Sequence, residues 1–167
     1  MTSMQGTYEF MSINLRSSLR GAKPHLHSPV DDLHSFYHTA QWAAAFNDGA
    51  SGKRHSGDEI REFRDMIADR RDRREKAVYM VRDILRPESA EEYGPFFAQS
   101  LALLSPWWAK LAPMASNWRL EMRRADALEG EDKKKRLGLK FLVFAYRGVG
   151  EYFRLVHEHR ESLQMAT

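Results

Sequence analysis

The sequence predicts an all-α protein, and three observations carry that expectation. Apolar residues recur at helical spacing in several separate stretches, while no stretch alternates convincingly between apolar and polar residues as a strand would. Helix-start signals precede those stretches, among them Ser28-Pro29 and the Ser89-Ala90-Glu91-Glu92 capping box. The run from Leu33 to Phe46 is apolar on nearly every side, the mark of a helix buried in a core.

That run is the expected centre of the molecule. Ser28 is placed to accept a hydrogen bond from first-turn amides, and Pro29 sits where a missing amide costs nothing. Asp31 and Asp32 then set negative charge on the positive end of the helix dipole. Leu33, Phe36, Tyr37, Ala40, Ala43 and Ala44 follow at helical spacing, with Trp42 and Phe46 on the opposite face. The apolar part is too short to span a bilayer.

Elsewhere the chain reads in order as follows. Residues 1–5 form an end segment, and Gly6 to Leu15 a turn leading into a short apolar piece, strand or helical turn. Residues 16–27 read as a loop, and Asn47 to Gly57 as an exposed connector with three glycines and two serines. Ser56-Gly57-Asp58-Glu59 starts a helix in which Ile60, Phe63, Ile67, Val78, Val81 and Leu85 hold an apolar stripe until Pro87 stops it. Past Ser89, a helical run passes through Phe96, Phe97, Leu101, Leu103 and Leu104. Pro106 and Pro113 are expected to bend or break it around Trp107-Trp108. Trp118, Leu120 and Met122 resume the helix, and Gly130-Glu131-Asp132 marks a turn. Leu137, Phe141, Phe144, Ala145, Tyr152, Phe153 and Val156 make a last amphipathic helix.

Composition bounds the class. At 167 residues the chain is most simply one domain, long enough to bury a core without staples. It has no cysteine, which excludes disulfides, thiolate metal sites and cysteine nucleophiles and fits a reducing compartment. Its 26 basic residues are nearly matched by 23 acidic ones, a mild net charge of +3. No signal peptide and no membrane span is expected, so the sequence points to a soluble cytoplasmic or nuclear protein.

Two short blocks carry a resemblance. Gly6-Thr7 followed by Phe10-Met11-Ser12, then a histidine-containing loop and Asp31-Asp32-Leu33-His34-Ser35-Phe36, resemble the fungal-type protein kinase family. The order is that of a kinase C-terminal lobe, from the end of the activation segment into the central helix. Ser12-Ile13-Asn14 is also similar to the variant of this segment in casein-kinase-one-like enzymes. The resemblance implies a partial kinase-like C-terminal lobe built around one buried helix. Residues 6–48 are the recognisable part and 58–163 a helical remainder of the same single domain. Its motif residues here are Gly6, Thr7, Ser12, Asn14, Asp31, Asp32 and Ser35. It further implies that Thr7 lies where substrate is received, and that Asp32 is the inward carboxylate that holds a catalytic loop. His34 stands where that motif usually has Glu.

A working kinase also needs a Gly-rich loop, a strand lysine, a catalytic Asp and metal-holding Asp and Asn residues ahead of this segment. The sequence offers none. Gly148-Val149-Gly150 lacks the third glycine, and His159-Arg160-Glu161 has Glu for the base and no following Asn. The expectation is a truncated, catalytically inactive lobe with no catalytic residue, cofactor or metal. It would serve as a binding or scaffold module, or as a fragment of a larger Ser/Thr-type kinase. Its partner would be protein, by self-association or a missing kinase lobe.

Other constellations have plainer readings. Asp31, His34 and His38 share a helix face with His25 and His27 upstream, a conceivable divalent site. Helix capping and core hydrogen bonding explain them as well. The basic run Arg61 to Arg82 is interleaved with Asp65, Asp69, Asp72 and Glu75 at salt-bridge spacing, which favours an ion-paired face over nucleic acid. Lys133-Lys134-Lys135-Arg136 is a second basic cluster. The alternative function class is therefore a basic helical interaction protein that binds nucleic acid or phosphate. Trp107, Trp108 and Trp118 at helical spacing read as core.

Overall fold

The computed structural model describes residues 11, 12, 15, 18, 21, 27–46, 55–61 and 93–164. Three helices dominate it: α1 (Pro29–Phe46), α2 (Pro95–Ala125) and α3 (Gly130–Gln164). Among the described residues there is no strand. The Ser89 capping box and the stripe from Phe63 to Leu85 lie outside the described residues.

The start of α1 follows from three residues. Ser28 is the cap, and its hydroxyl accepts from the Asp31 amide at 3.2 Å. Asp31 answers by accepting from the Ser28 amide at 2.9 Å and the Ser28 hydroxyl at 2.8 Å. The two satisfy each other's backbone donors in a capping box, with Pro29 filling the first helical position. The same device appears at Ser56, whose amide donates to Glu59 Oε2 at 2.7 Å while its hydroxyl accepts from the Glu59 amide at 3.2 Å. Residues 57–61 are helical, as that start signal predicts.

Helix α2 is one uninterrupted helix of 31 residues with Pro106 and Pro113 inside it. The expected break is absent. Each proline removes one backbone hydrogen bond, but Trp107, Leu111, Met114 and Trp118 on either side are all buried, and that packing holds the path. It begins at Gly94, whose φ of +91° suits glycine, followed by Pro95. Residues 126–129 then join it to α3, and Gly130, expected as a turn, is the first residue of the next helix with φ +55°. Glu131 and Asp132 complement the dipole there.

Such a short connection makes α2 and α3 an antiparallel pair, and the side-chain register agrees. Trp118 meets Phe141 and Phe144 at ring-centroid distances of 6.5 and 5.5 Å, and Trp107 meets Tyr152 at 4.6 Å. Helix α1 packs on both members. Tyr37, wholly buried, lies 5.3 Å from the Trp107 ring and 5.1 Å from Trp108. Phe36 bridges Trp107 and Tyr152 at 5.5 and 5.3 Å. Trp107, Trp108 and Trp118 are all buried, as their spacing predicts.

Candidate functional site

The Asp31 carboxylate is buried and held on several sides. Besides Ser28 it accepts a hydrogen bond from the Ser12 hydroxyl, 19 residues upstream. Ser12 is itself buried between Met11 and Leu15, and its oxygen accepts from the Leu15 amide at 3.0 Å. A carboxylate taken out of water must be fully hydrogen-bonded to be tolerated. This one is met by a hydroxyl from one segment and by an amide and a hydroxyl from another, so it pins the segment around Ser12 to the start of α1.

The motif residues therefore divide. Ser12 and Asp31 meet in this joint. Asp32, expected to point inward, is exposed on the surface and pairs with His27 Nε2 at 2.9 Å. The reason is geometric: Ser28 as cap puts Asp31 at the third helical position, where its side chain folds back on the cap, and the next residue lies about 100° further round. Ser35 is half-buried within α1, where its carbonyl accepts from the Thr39 hydroxyl at 2.9 Å. Gly6, Thr7 and Asn14 lie outside the described residues.

His34 and His38 are buried on α1 beside Trp108, with ring centroids 5.4 and 6.3 Å from the indole. Among the described residues, no group of His, Asp and Glu is arranged to hold a metal ion. His159-Arg160-Glu161 lies near the far end of α3, away from the Asp31 joint in sequence and on an open helix surface. No described helix is long and apolar enough to cross a membrane.

Cations of the Lys133–Arg136 cluster are engaged by neighbouring carboxylates. Lys133 meets Asp126 at 2.9 Å, Lys134 meets Glu131 at 2.8 Å, and Arg136 reaches back to Glu121 on α2 at 3.0 Å. Glu121 is the hub, since it also accepts from Arg124 at 2.7 Å and lies 3.5 Å from Lys140. Burial pushes its carboxyl pKa up, but the hydrogen bonds from Arg124 and Arg136 and the charge of Lys140 outweigh that. The net result lies below the ordinary glutamate value.

One surface the sequence reading did not single out is the outer face of α3. Leu139, Leu142, Val143, Tyr146, Val149 and Phe153 are all large, apolar and exposed. The inner stripe through Phe141, Phe144, Gly148 and Leu155 faces the core. The signal was present: alongside the inner stripe the same window carries a second one, at spacings of three and four.

Compared with protein-family models, with curated proteins and with solved structures, the chain matches none.

Proposed function

We propose that this chain is a non-catalytic helical module similar to the C-terminal lobe of fungal-type protein kinases, and that it works by docking to protein. The observation that carries this reading is the buried Ser12–Asp31 hydrogen bond. The resemblance rests on two sequence blocks, and this bond ties one to the other at the start of a helix packed against α2 and α3, through Asp31 and not through Asp32, the inward residue that the resemblance implies. The docking part rests on the exposed apolar face of α3. The non-catalytic part rests on the sequence, which holds no Gly-rich loop followed by a strand lysine and no Asp and Asn pair placed to hold magnesium.

Isothermal calorimetry with magnesium and ATP tests the central point. No saturable heat is expected, and no rise in melting temperature, because a ligand that binds the native state must stabilise it. Saturable binding with a matching thermal shift would overturn the reading.

A further inference from the structure

Leu139, Leu142, Tyr146, Val149 and Phe153 lie three and four residues apart in strict alternation, and Val156, half-buried, continues the row. That spacing winds a seam along one side of a helix, the pattern by which one helix packs against another. Here the seam faces outward. The five residues and Val143 beside them are 46% to 77% exposed, Tyr146 most of all. Together they leave on the order of 600 Å² of apolar surface in water, at the upper limit of what a monomer normally shows. A standard interface takes ~800 Å² from each partner. The seam runs roughly 25 Å along the helix. It is continuous through Tyr152, 5.6 Å from the Phe153 ring, with half-exposed Phe36 on α1.

Charge decides what fits. Glu131 to Arg136, ahead of the seam, carries four cations against two anions. At the other end Arg154 is paired with Glu158, and Arg160 and Glu161 balance each other, so that end carries no net charge. A parallel copy would oppose one basic end to the other, whereas an antiparallel copy sets each basic end against a balanced one. Gly138 and Gly150 flank the seam with nothing near their Cα atoms on the side-chain side, so another backbone can approach closely there. An antiparallel pairing about a two-fold axis near Arg147 is also self-complementary, since the same patch serves on both copies.

We infer that the chain forms a homodimer through the outer face of α3, the two α3 helices antiparallel. This deepens the docking reading above by naming a second copy as the occupant, and it rests on that reading. Tyr146 and Phe153 are the anchors, large aromatic groups of the kind that dominate interface energetics.

Analytical ultracentrifugation of the full chain and of Tyr146→Glu and Phe153→Glu tests it. The native chain is expected at twice its monomer mass, and each variant at monomer mass with unchanged helical circular dichroism. A native monomer at high concentration overturns the inference, as does a dimer that survives both substitutions. If a variant loses helicity, Tyr146→Ser takes its place under the same two outcomes. Orientation is read separately, because the chain has no cysteine. Mixed Leu139→Cys and Val156→Cys chains should form a disulfide with each other, and Leu139→Cys alone should not. Self-linking of Leu139→Cys without the mixed product overturns the antiparallel arrangement. A native chain that stays monomeric, with magnesium and ATP still unbound, would remove this inference and leave the non-catalytic reading standing.

Discussion

Gly148 on α3 and Leu33 on α1 approach so closely that no side chain fits between them. A Cβ placed on Gly148 would fall 2.0 Å from Leu33 Cδ1 and 3.2 Å from its Cγ. Leu33 is buried and cannot swing into solvent. Gly148→Ala is therefore expected to destabilise the fold by ~1–2 kcal/mol, because overpacking outweighs the better helix propensity of alanine. Gly138→Ala, with nothing within reach of its Cβ, should instead stabilise by up to about 1 kcal/mol. Urea midpoints that moved the same way in both variants would contradict the close contact.

Asp31 and Asp32 should respond very differently to removal of their charge. Asp31→Asn puts an amide where three donors converge, and a loss of ~2–3 kcal/mol is expected. Asp32→Asn removes only an exposed pair with His27 and should stay within about 0.5 kcal/mol. Ser12→Ala should cost about 1–2 kcal/mol and do so far less in an Asp31→Asn background. Chemical denaturation of the two single aspartate variants decides it; equal shifts would remove the joint.

Glu121 should make part of the acid limb of stability. Its folded pKa lies below the ordinary value, so its contribution is present above the unfolded value near pH 4.3 and is lost as pH falls through the lower folded pKa. Glu121→Gln is expected to cost about 1 kcal/mol at pH 7, through the hydrogen bonds from Arg124 and Arg136 and the nearby charge of Lys140. The difference from the native chain should shrink steadily below about pH 4. A gap constant from pH 7 to strongly acid conditions would mean that the carboxylate is not held by these cations.

Tyr37 is completely buried, and its hydroxyl has no hydrogen-bond partner among the described residues. Burial pushes its pKa far above the usual tyrosine range. Tyr37→Phe is therefore expected to be neutral or stabilising by up to about 1 kcal/mol at pH 7. The raised pKa also stabilises the fold only below the unfolded value near pH 10, and that stability is lost as pH rises further. The phenylalanine variant should thus tolerate alkali better, read as the pH of half-unfolding.

Pro113 faces solvent inside α2. Pro113→Ala restores an amide to the helix ladder without touching the core, and a gain of ~1–3 kcal/mol in thermal unfolding is expected. A loss would show that the backbone geometry this proline imposes is needed for packing.

How much of this could be read from sequence varies with where the information sits. The limits of α1 and the start at Ser56 were legible because capping is local: a serine and an acid three residues on are enough. The burial of Trp107, Trp108 and Trp118 was legible from spacing. Continuity of α2 through its prolines was not, because the cost of a missing hydrogen bond is local while the tryptophan packing that offsets it comes from α1 and α3. The resemblance implies an inward carboxylate at Asp32, yet the position of the cap selects Asp31, a one-residue shift that pattern alone does not resolve. The second stripe on α3 was visible as spacing, but which of two apolar stripes is left in water depends on where its neighbours pack.

The four-residue link between α2 and α3 has a consequence in time. Contacts such as Trp118 with Phe144 close short loops, whereas Tyr37 reaches Trp107 only across a much longer stretch of chain. Closing a longer loop costs more entropy, and folding is fastest where contacts are local. The hairpin of α2 and α3 is therefore expected to assemble first, with α1 arriving afterwards on a surface already formed. The helix that packs on both of the others is the last to take its place. Substitutions at Trp118 should slow refolding, while those at Tyr37 should chiefly speed unfolding.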